Sequence, residues 1–269
     1  VFKTDLMHFV NNMKHRWFFS FLFAGALLSA DEAGCGKAPK PTRAYLKHIE
    51  PGGIGYSEGY STLEIFIMPF EHKEDVFTPF LDLRGHVFND RKCASNVGIG
   101  MRCLSSWVWG FSAYWDYRKT SRHSYNQVTL GAEALGEYVD FRANGYISVG
   151  DARSHLYAAK PLGTEDGRRE FLHKREFSLQ GANGEVGVHI DWFETMPLYV
   201  AAGPYYLVGG KRETWGAQVR AAVDVFEYVR IEGNTSYDRL FQWIGQGQIS
   251  VVIPFGPNRG VQAAEERGF

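Results

Sequence analysis

Gly55, Tyr56, Ser57, Glu58 and Gly59 have the spacing of a hydrolase nucleophile elbow. That chemistry needs the serine on a turn between a strand and a helix, with an acid and then a histidine later in the chain. Here a strand pattern follows, so the segment reads as a hairpin loop. His72, His123, His155 and His173 fall in predicted connections and show no His-x-x-x-His spacing. With no Cys-x-x-Cys either, they make no metal site. No glycine-rich phosphate loop precedes a helix. The pattern implies no enzyme, no cofactor and no metal. Arg168 and Arg169, with His173, Lys174 and Arg175, form a basic patch in the longest predicted connection. It is either a solvated loop or a contact with anionic lipopolysaccharide or a host surface.

The cysteines are three, Cys35, Cys93 and Cys103, an odd number that builds no disulfide framework. Cys93 and Cys103 bracket one predicted strand, roughly 30 Å apart if it is extended, whereas a bridge needs Cα atoms within about 7 Å. Cys35 has Glu32 where a lipoprotein signal would carry leucine, so lipidation there is not expected.

A chain of 269 residues suits one large domain or two small ones. Aromatic residues make up 15%, glycine is frequent, and mean hydropathy is slightly negative. No run of about 20 apolar residues could cross a bilayer as a helix. The formal net charge of -1 gives no reason to expect nucleic acid. Strand-rich, glycine-rich and aromatic-rich at modest hydropathy fits a polar-lumen membrane barrel, and it also fits many secreted β proteins.

The amino terminus favours export. After Met13 come Lys14, His15 and Arg16, then an apolar run over 17–28, then Ser29 and Ala30 before two acids. This is the plan of a secretory signal peptide. Residues 1–30 are expected to be that signal, with Met13 as the start, and 31–42 a short linker. A barrel over 43–256 and a short tail or truncated linker over 257–269 complete the expected organisation.

Alternation with a period of two supplies the strands. It predicts twelve, over 43–50, 61–68, 79–88, 96–104, 107–117, 127–135, 139–147, 183–190, 198–208, 215–225, 229–238 and 247–255. A charged, irregular stretch over 151–174 separates the seventh from the eighth. One face of the strands is apolar: Trp109, Phe111, Trp115, Val128, Leu130, Phe141, Trp215, Val219, Ile249, Val251 and Ile253 are expected to meet lipid. The other face is polar: Arg84, Arg102, Asp116, Glu133, Arg142, Asn144, Glu185, Arg220, Asp224 and Arg230 are expected to face a lumen. Aromatic residues near strand ends suit an interfacial girdle, and closure removes edges that lipid could not satisfy. Turns near 105, 137 and 227 leave little room. Connections over 89–92, 118–125, 151–177, 209–213 and 239–246 are predicted to be longer. That asymmetry matches short periplasmic turns and long external loops, weakened by two longer connections near 70–77 and 191–197.

The succession Gly110-Phe111-Ser112-Ala113-Tyr114-Trp115-Asp116-Tyr117, then Leu130-Gly131-Ala132-Glu133-Ala134-Leu135, then Asp140-Phe141-Arg142-Ala143-Asn144-Gly145-Tyr146 resembles the barrel domain of the intimin/invasin family, the inverse autotransporters. Ala182-Asn183-Gly184 resembles the family's entry to a strand after a long loop. The resemblance covers about 43–255 and is most specific over 110–146. It implies a twelve-stranded transmembrane β-barrel in a Gram-negative outer membrane, all-β and antiparallel. Such a barrel is inserted by the outer-membrane assembly machinery and bedded in lipid and lipopolysaccharide. It displays a carboxy-terminal passenger for adhesion to a host surface receptor, leaves a linker in the pore and uses no catalytic residue. Only 256–269 follow the last predicted strand, which departs from that plan. The alternative reading is a passive outer-membrane pore or a loop-based adhesin without a passenger, and a third is a soluble secreted β protein.

Overall fold

The computed structural model describes residues 42–56, 58–69, 76–120, 123–150, 155–165, 168–176, 178–190, 197–210, 212–226 and 228–254. The expected signal peptide and tail lie outside these residues, as do His72 and all of the expected linker but Thr42, which begins the first strand.

Fourteen strands follow in chain order: β1 Thr42–Glu50, β2 Tyr60–Ile67, β3 Phe77–Phe88, β4 Cys93–Leu104, β5 Val108–Lys119, β6 Ser124–Leu135 and β7 Val139–Val149. After them come β8 His155–Glu165, β9 Arg168–Glu176, β10 Gln180–Ile190, β11 Leu198–Gly209, β12 Arg212–Phe226, β13 Val229–Asp238 and β14 Gln242–Pro254. Twelve form one closed antiparallel barrel in which β1 pairs with both β2 and β14. The remaining two, β8 and β9, make a separate two-stranded sheet. The barrel passes from β7 straight to β10, so the hairpin is an insertion rather than part of the wall.

Two expectations need correction. The stretch over 151–174 is not irregular, since most of it is the β8–β9 hairpin, and His155 and His173 lie on strands rather than in connections. The loop asymmetry is also weaker than the sequence suggests. Strands run further than their apolar alternation does, which shortens the connections to 120–123 between β5 and β6 and 210–211 between β11 and β12. Cross-strand hydrogen bonding continues there after the apolar face has ended, as the pairs Lys119↔Ser124 and Gly209↔Arg212 show.

The tight connections carry the chemistry such turns require. Asp238 Oδ1 accepts from the main-chain N–H groups of Leu240 and Phe241 at 2.6 and 2.7 Å, an Asx turn that leads into Gln242 at φ 61°. Arg91, at φ 67°, closes the β3–β4 turn through Arg91 N to Phe88 O at 2.8 Å.

An even number of antiparallel strands leaves both barrel termini at one end, where Arg43 pairs with Pro254. The opposite, far end carries the connection over 51–59 and the β8–β9 hairpin. Each end has exposed aromatic residues. At the far end Tyr206 stacks with Trp215 at 4.8 Å and Tyr237 with Trp243 at 5.1 Å. At the terminal end Phe77, Tyr138 and Phe226 are exposed and Trp107 packs on Phe141 at 6.0 Å. Trp215 and Phe226 sit on one strand, β12, eleven positions apart. At about 3.3 Å per residue and a tilt of about 40°, the two levels are about 28 Å apart. Between them the outer face is aliphatic, with Ile99, Leu130, Val219, Ile231 and Ile249 all exposed. No helix of the described residues is long and apolar enough to cross a membrane, which says nothing of crossing by strands.

Candidate functional site

The inner wall is where the charged side chains meet. Arg84, Arg102, Asp116, Glu133, Arg142, Asn144, Glu185 and Arg220 are all buried, while Asp224 and Arg230 are half-buried near the terminal end. On the outside, Trp109, Phe111, Trp115, Leu130, Phe141, Trp215, Val219, Ile249, Val251 and Ile253 are exposed. Val128, on the same face, is half-covered and lies opposite Trp115.

Charges of opposite sign link strand to strand around the interior. Lys47 Nζ donates to Glu64 Oε2 at 2.7 Å, and Arg84 Nε approaches the same oxygen at 3.4 Å. Arg84 also pairs with Asp82 at 2.5 Å, and the Tyr114 hydroxyl donates to that carboxylate at 2.9 Å. Arg102 Nε donates to Glu133 Oε1 at 2.7 Å, and its guanidinium lies over the rings of Phe66 and Phe80. Arg142 pairs with Asp140 at 2.9 Å and reaches Glu185 at 3.5 Å, and Asp140 is also 3.0 Å from His189. Arg220 bonds Glu185 and lies 3.6 Å from Glu232, which approaches Arg230 at 4.0 Å. A second chain runs alongside: Thr62, His86, Asn96, Asp116 and Thr129 are joined in that order by hydrogen bonds across five strands.

Buried ion pairs of this kind add little net stability over an apolar core, but removing one partner strands the other. They suit a wall that must stay polar and keep its shape. Glycines give the aromatic rings room on that wall. A Cβ at Gly98 would lie 2.1 Å from the Tyr114 ring, and one at Gly187 2.0 Å from the Tyr199 hydroxyl. Tyr199 then reaches the Arg142 guanidinium.

At the far mouth an apolar cluster of Ile54, Leu179, Tyr205 and Leu207 tucks the connection after β1 inside the barrel end. Burial pushes the Tyr56 phenol above its ordinary pKa, and its hydroxyl donates to Tyr60 at 3.2 Å. Beside it is a cavity lined by Tyr60, Tyr146, Asn183, Gln218 and Asn234 among others. Tyr146 and Asn144 both donate to Asn183 Oδ1 at 3.1 Å. Gln218 Nε2 and Asn234 Oδ1, a donor and an acceptor, are buried there without a hydrogen-bond partner.

Ser57 of the elbow-like motif is outside the described residues. Gly55 is in the left-handed region at φ 89°, within a turn closed by Tyr56 N to Gly53 O at 3.2 Å, and the strand β2 follows. That is not the strand-to-helix geometry the hydrolase needs. Among the described residues no group of three or more His, Cys, Asp or Glu is placed to hold a metal ion. Cys93 and Cys103 are unbridged at opposite ends of β4.

Glu64, Asp82, Asp140, Tyr114 and Tyr199 are interior partners that the sequence lists of facing residues do not contain. The carboxylates could have been found, since Glu64 alternates with Leu63 and Ile65. Tyr199 could not, because β11 reads as apolar on both faces.

Residues 59–162, from the start of β2 into β8, match the profile of the inverse autotransporter β-domain. The resemblance to inverse autotransporters is borne out. An invasin of Yersinia enterocolitica is 30% identical over 88 residues, which cover 29% of this chain and 10% of invasin. The match thus spans about a tenth of that relative's length. Among solved structures, a chain from work on the in-meso crystallization of membrane proteins superposes with a TM-score of 0.56 at 12% identity. The superposition covers 79% of this chain and 84% of that one, and it shows the barrel fold alone. The KdgM porin is a looser match, with a TM-score of 0.46 at 8% identity, over 80% of this chain and 99% of the porin. The inverse autotransporter match and the closed twelve-stranded architecture place this chain among outer-membrane β-barrels.

Proposed function

We propose that this barrel is the anchor and export domain of an inverse autotransporter in a Gram-negative outer membrane, holding an attached polypeptide at the cell surface for adhesion. The observation that carries the reading is the inverse autotransporter match over 59–162, which takes in the consecutive barrel strands β2 to β7 and ends in β8. The polar residues line the translocation wall and the exposed apolar residues form the lipid belt, with lipopolysaccharide around it. The outer-membrane assembly machinery inserts the barrel, and the displayed polypeptide meets the host receptor. No step needs a catalytic residue or a cofactor, because export here is positioning and folding rather than bond chemistry. The amide-lined mouth supports the same reading. The unpaired Gln218 donor and Asn234 acceptor are what an extended main chain, with one donor and one acceptor per residue, would satisfy.

The test is to fuse an epitope-tagged folded domain after residue 269 and produce the fusion in a Gram-negative cell. The tag should be reached by antibody and removed by protease on intact cells. A tag that stays inside while the barrel is inserted and migrates as a heat-modifiable band would contradict the export role.

A further inference from the structure

The connection after β1 turns inward and crosses the far mouth. Gly53, Ile54 and Gly55 are buried, although they belong to no strand. Ile54 packs with Leu179, Tyr205 and Leu207, and Phe241 and Ile244 close on the same cluster. Tyr56 points to another part of the rim. Its ring meets Tyr60 and Phe88 edge-on at 5.3 and 5.6 Å and lies under the Arg118 guanidinium at 5.4 Å. Tyr205 and Leu207 are on β11, four strands from β1 in one direction, and Arg118 is on β5, four strands away in the other. A short connection rooted on β1 thus makes contacts at three evenly spaced places around the mouth.

Its ends and its middle are held differently. Both ends are tied to Asn89 in the β3–β4 turn, whose main-chain N–H donates to Gly59 O at 2.9 Å and whose Nδ2 donates to the Glu50 carboxylate. Between these ties runs Pro51-Gly52-Gly53-Ile54-Gly55-Tyr56, rich in the residue with the freest backbone. This middle meets the wall through Gln246 Nε2, which donates to Pro51 O at 3.3 Å, and through the side chains of Ile54 and Tyr56. A segment held by side chains rather than by a strand ladder can open without disturbing the barrel. Beneath it lies the cavity lined by Gln218 and Asn234. We propose that residues 51–56 are a hinged plug, which seals the far mouth while the lumen is empty and swings outward about the Asn89 ties when a polypeptide passes. The opening half of the proposal rests on the export reading, and the sealing half does not.

The experiment uses the full chain with its three cysteines changed to serine, and it has two arms. A Cβ at Gly53 would lie 2.6 Å from Gln246 Oε1, so Gly53→Cys/Gln246→Cys can tie the plug to β14 by a disulfide. With the tagged domain fused after residue 269, the bridged barrel should keep the tag inside, and the same cells grown with a thiol reductant should expose it. Heat-modifiable migration of the bridged and the reduced forms shows that both are folded. The second arm needs no export. In the purified barrel, Asn234→Cys beneath the plug should react with a charged maleimide at least tenfold faster once Ile54→Ser is added. An unchanged labelling rate, or a tag exposed equally with and without the bridge, would overturn the plug. A tag that stays inside in both states, while Ile54→Ser still speeds labelling, would overturn the export reading and support the seal.

Discussion

Arg102 and Glu133 bond at 2.7 Å although they stand on β4 and β6, strands that are not neighbours. Gly110 of β5 is the shared register partner of both, and a Cβ there would lie 2.4 Å from Glu133 Oε1. The ion pair therefore bridges a strand by passing over a residue with no side chain.

Arg102→Ala should destabilise the barrel by about 3–5 kcal/mol, because it leaves the Glu133 carboxylate buried and uncompensated. Arg102→Ala/Glu133→Ala should recover a large part of that loss. Urea titrations of the barrel in lipid vesicles, followed by tryptophan emission, measure both. A double variant as unstable as the single one would contradict the pairing.

Depth in the membrane predicts a contrast on one strand. Ala217 and Ala221 both lie exposed on the outer face of β12, but Ala217 is two positions from Trp215 and Ala221 is close to midway between Trp215 and Phe226. Ala221→Arg should cost about 2–4 kcal/mol and Ala217→Arg about 0–1 kcal/mol, as depth-dependent insertion of arginine requires. The same unfolding assay compares them, and equal costs would place the apolar band elsewhere.

Tyr199→Phe keeps the ring beside Gly187 but removes the hydroxyl that meets Arg142. A hydrogen bond to a charged group is worth about 1.5–3 kcal/mol, and the variant should lose a comparable amount. Gly187→Val should lose stability as well by pushing the ring aside, about 1–3 kcal/mol for an overpacked site. Thermal loss of heat-modifiable migration ranks the two against wild type.

In planar bilayers the purified barrel should conduct little, because inward charges such as Glu64, Asp82, Arg102 and Arg220 are 1–3% exposed and tied into ion pairs. Arg142→Ala/Arg220→Ala should raise conductance. A wild-type channel that is permanently open would favour a diffusion pore over an anchor.

Much of the barrel is legible in the chain because lipid on one side and polar wall on the other force strict alternation. Trp109, Phe111 and Trp115 against Gly110, Ser112 and Asp116 give β5 its two faces directly. β11 is harder: its inward Tyr199 and Tyr205 cover Gly187 and Gly216 on neighbouring strands, so its inner face looks apolar until the register is known. The hairpin was hidden for a related reason. Its strands have no continuous apolar face, and a two-stranded ribbon outside the wall needs none. The inner charges were visible residue by residue, but a partnership such as Arg102 with Glu133 depends on the gap at Gly110, which only the paired strands reveal.

Which side of the wall meets lipid is measured most directly by a cysteine scan from 217 to 223 along β12. With Cys35, Cys93 and Cys103 first changed to serine, each position would carry a fluorescent label in vesicles that contain a lipid-borne quencher. Labels at 217, 219, 221 and 223 should be quenched strongly, and those at 218, 220 and 222 should not. Quenching without that alternation, or with the even positions favoured, would contradict a barrel whose outer face is immersed in acyl chains.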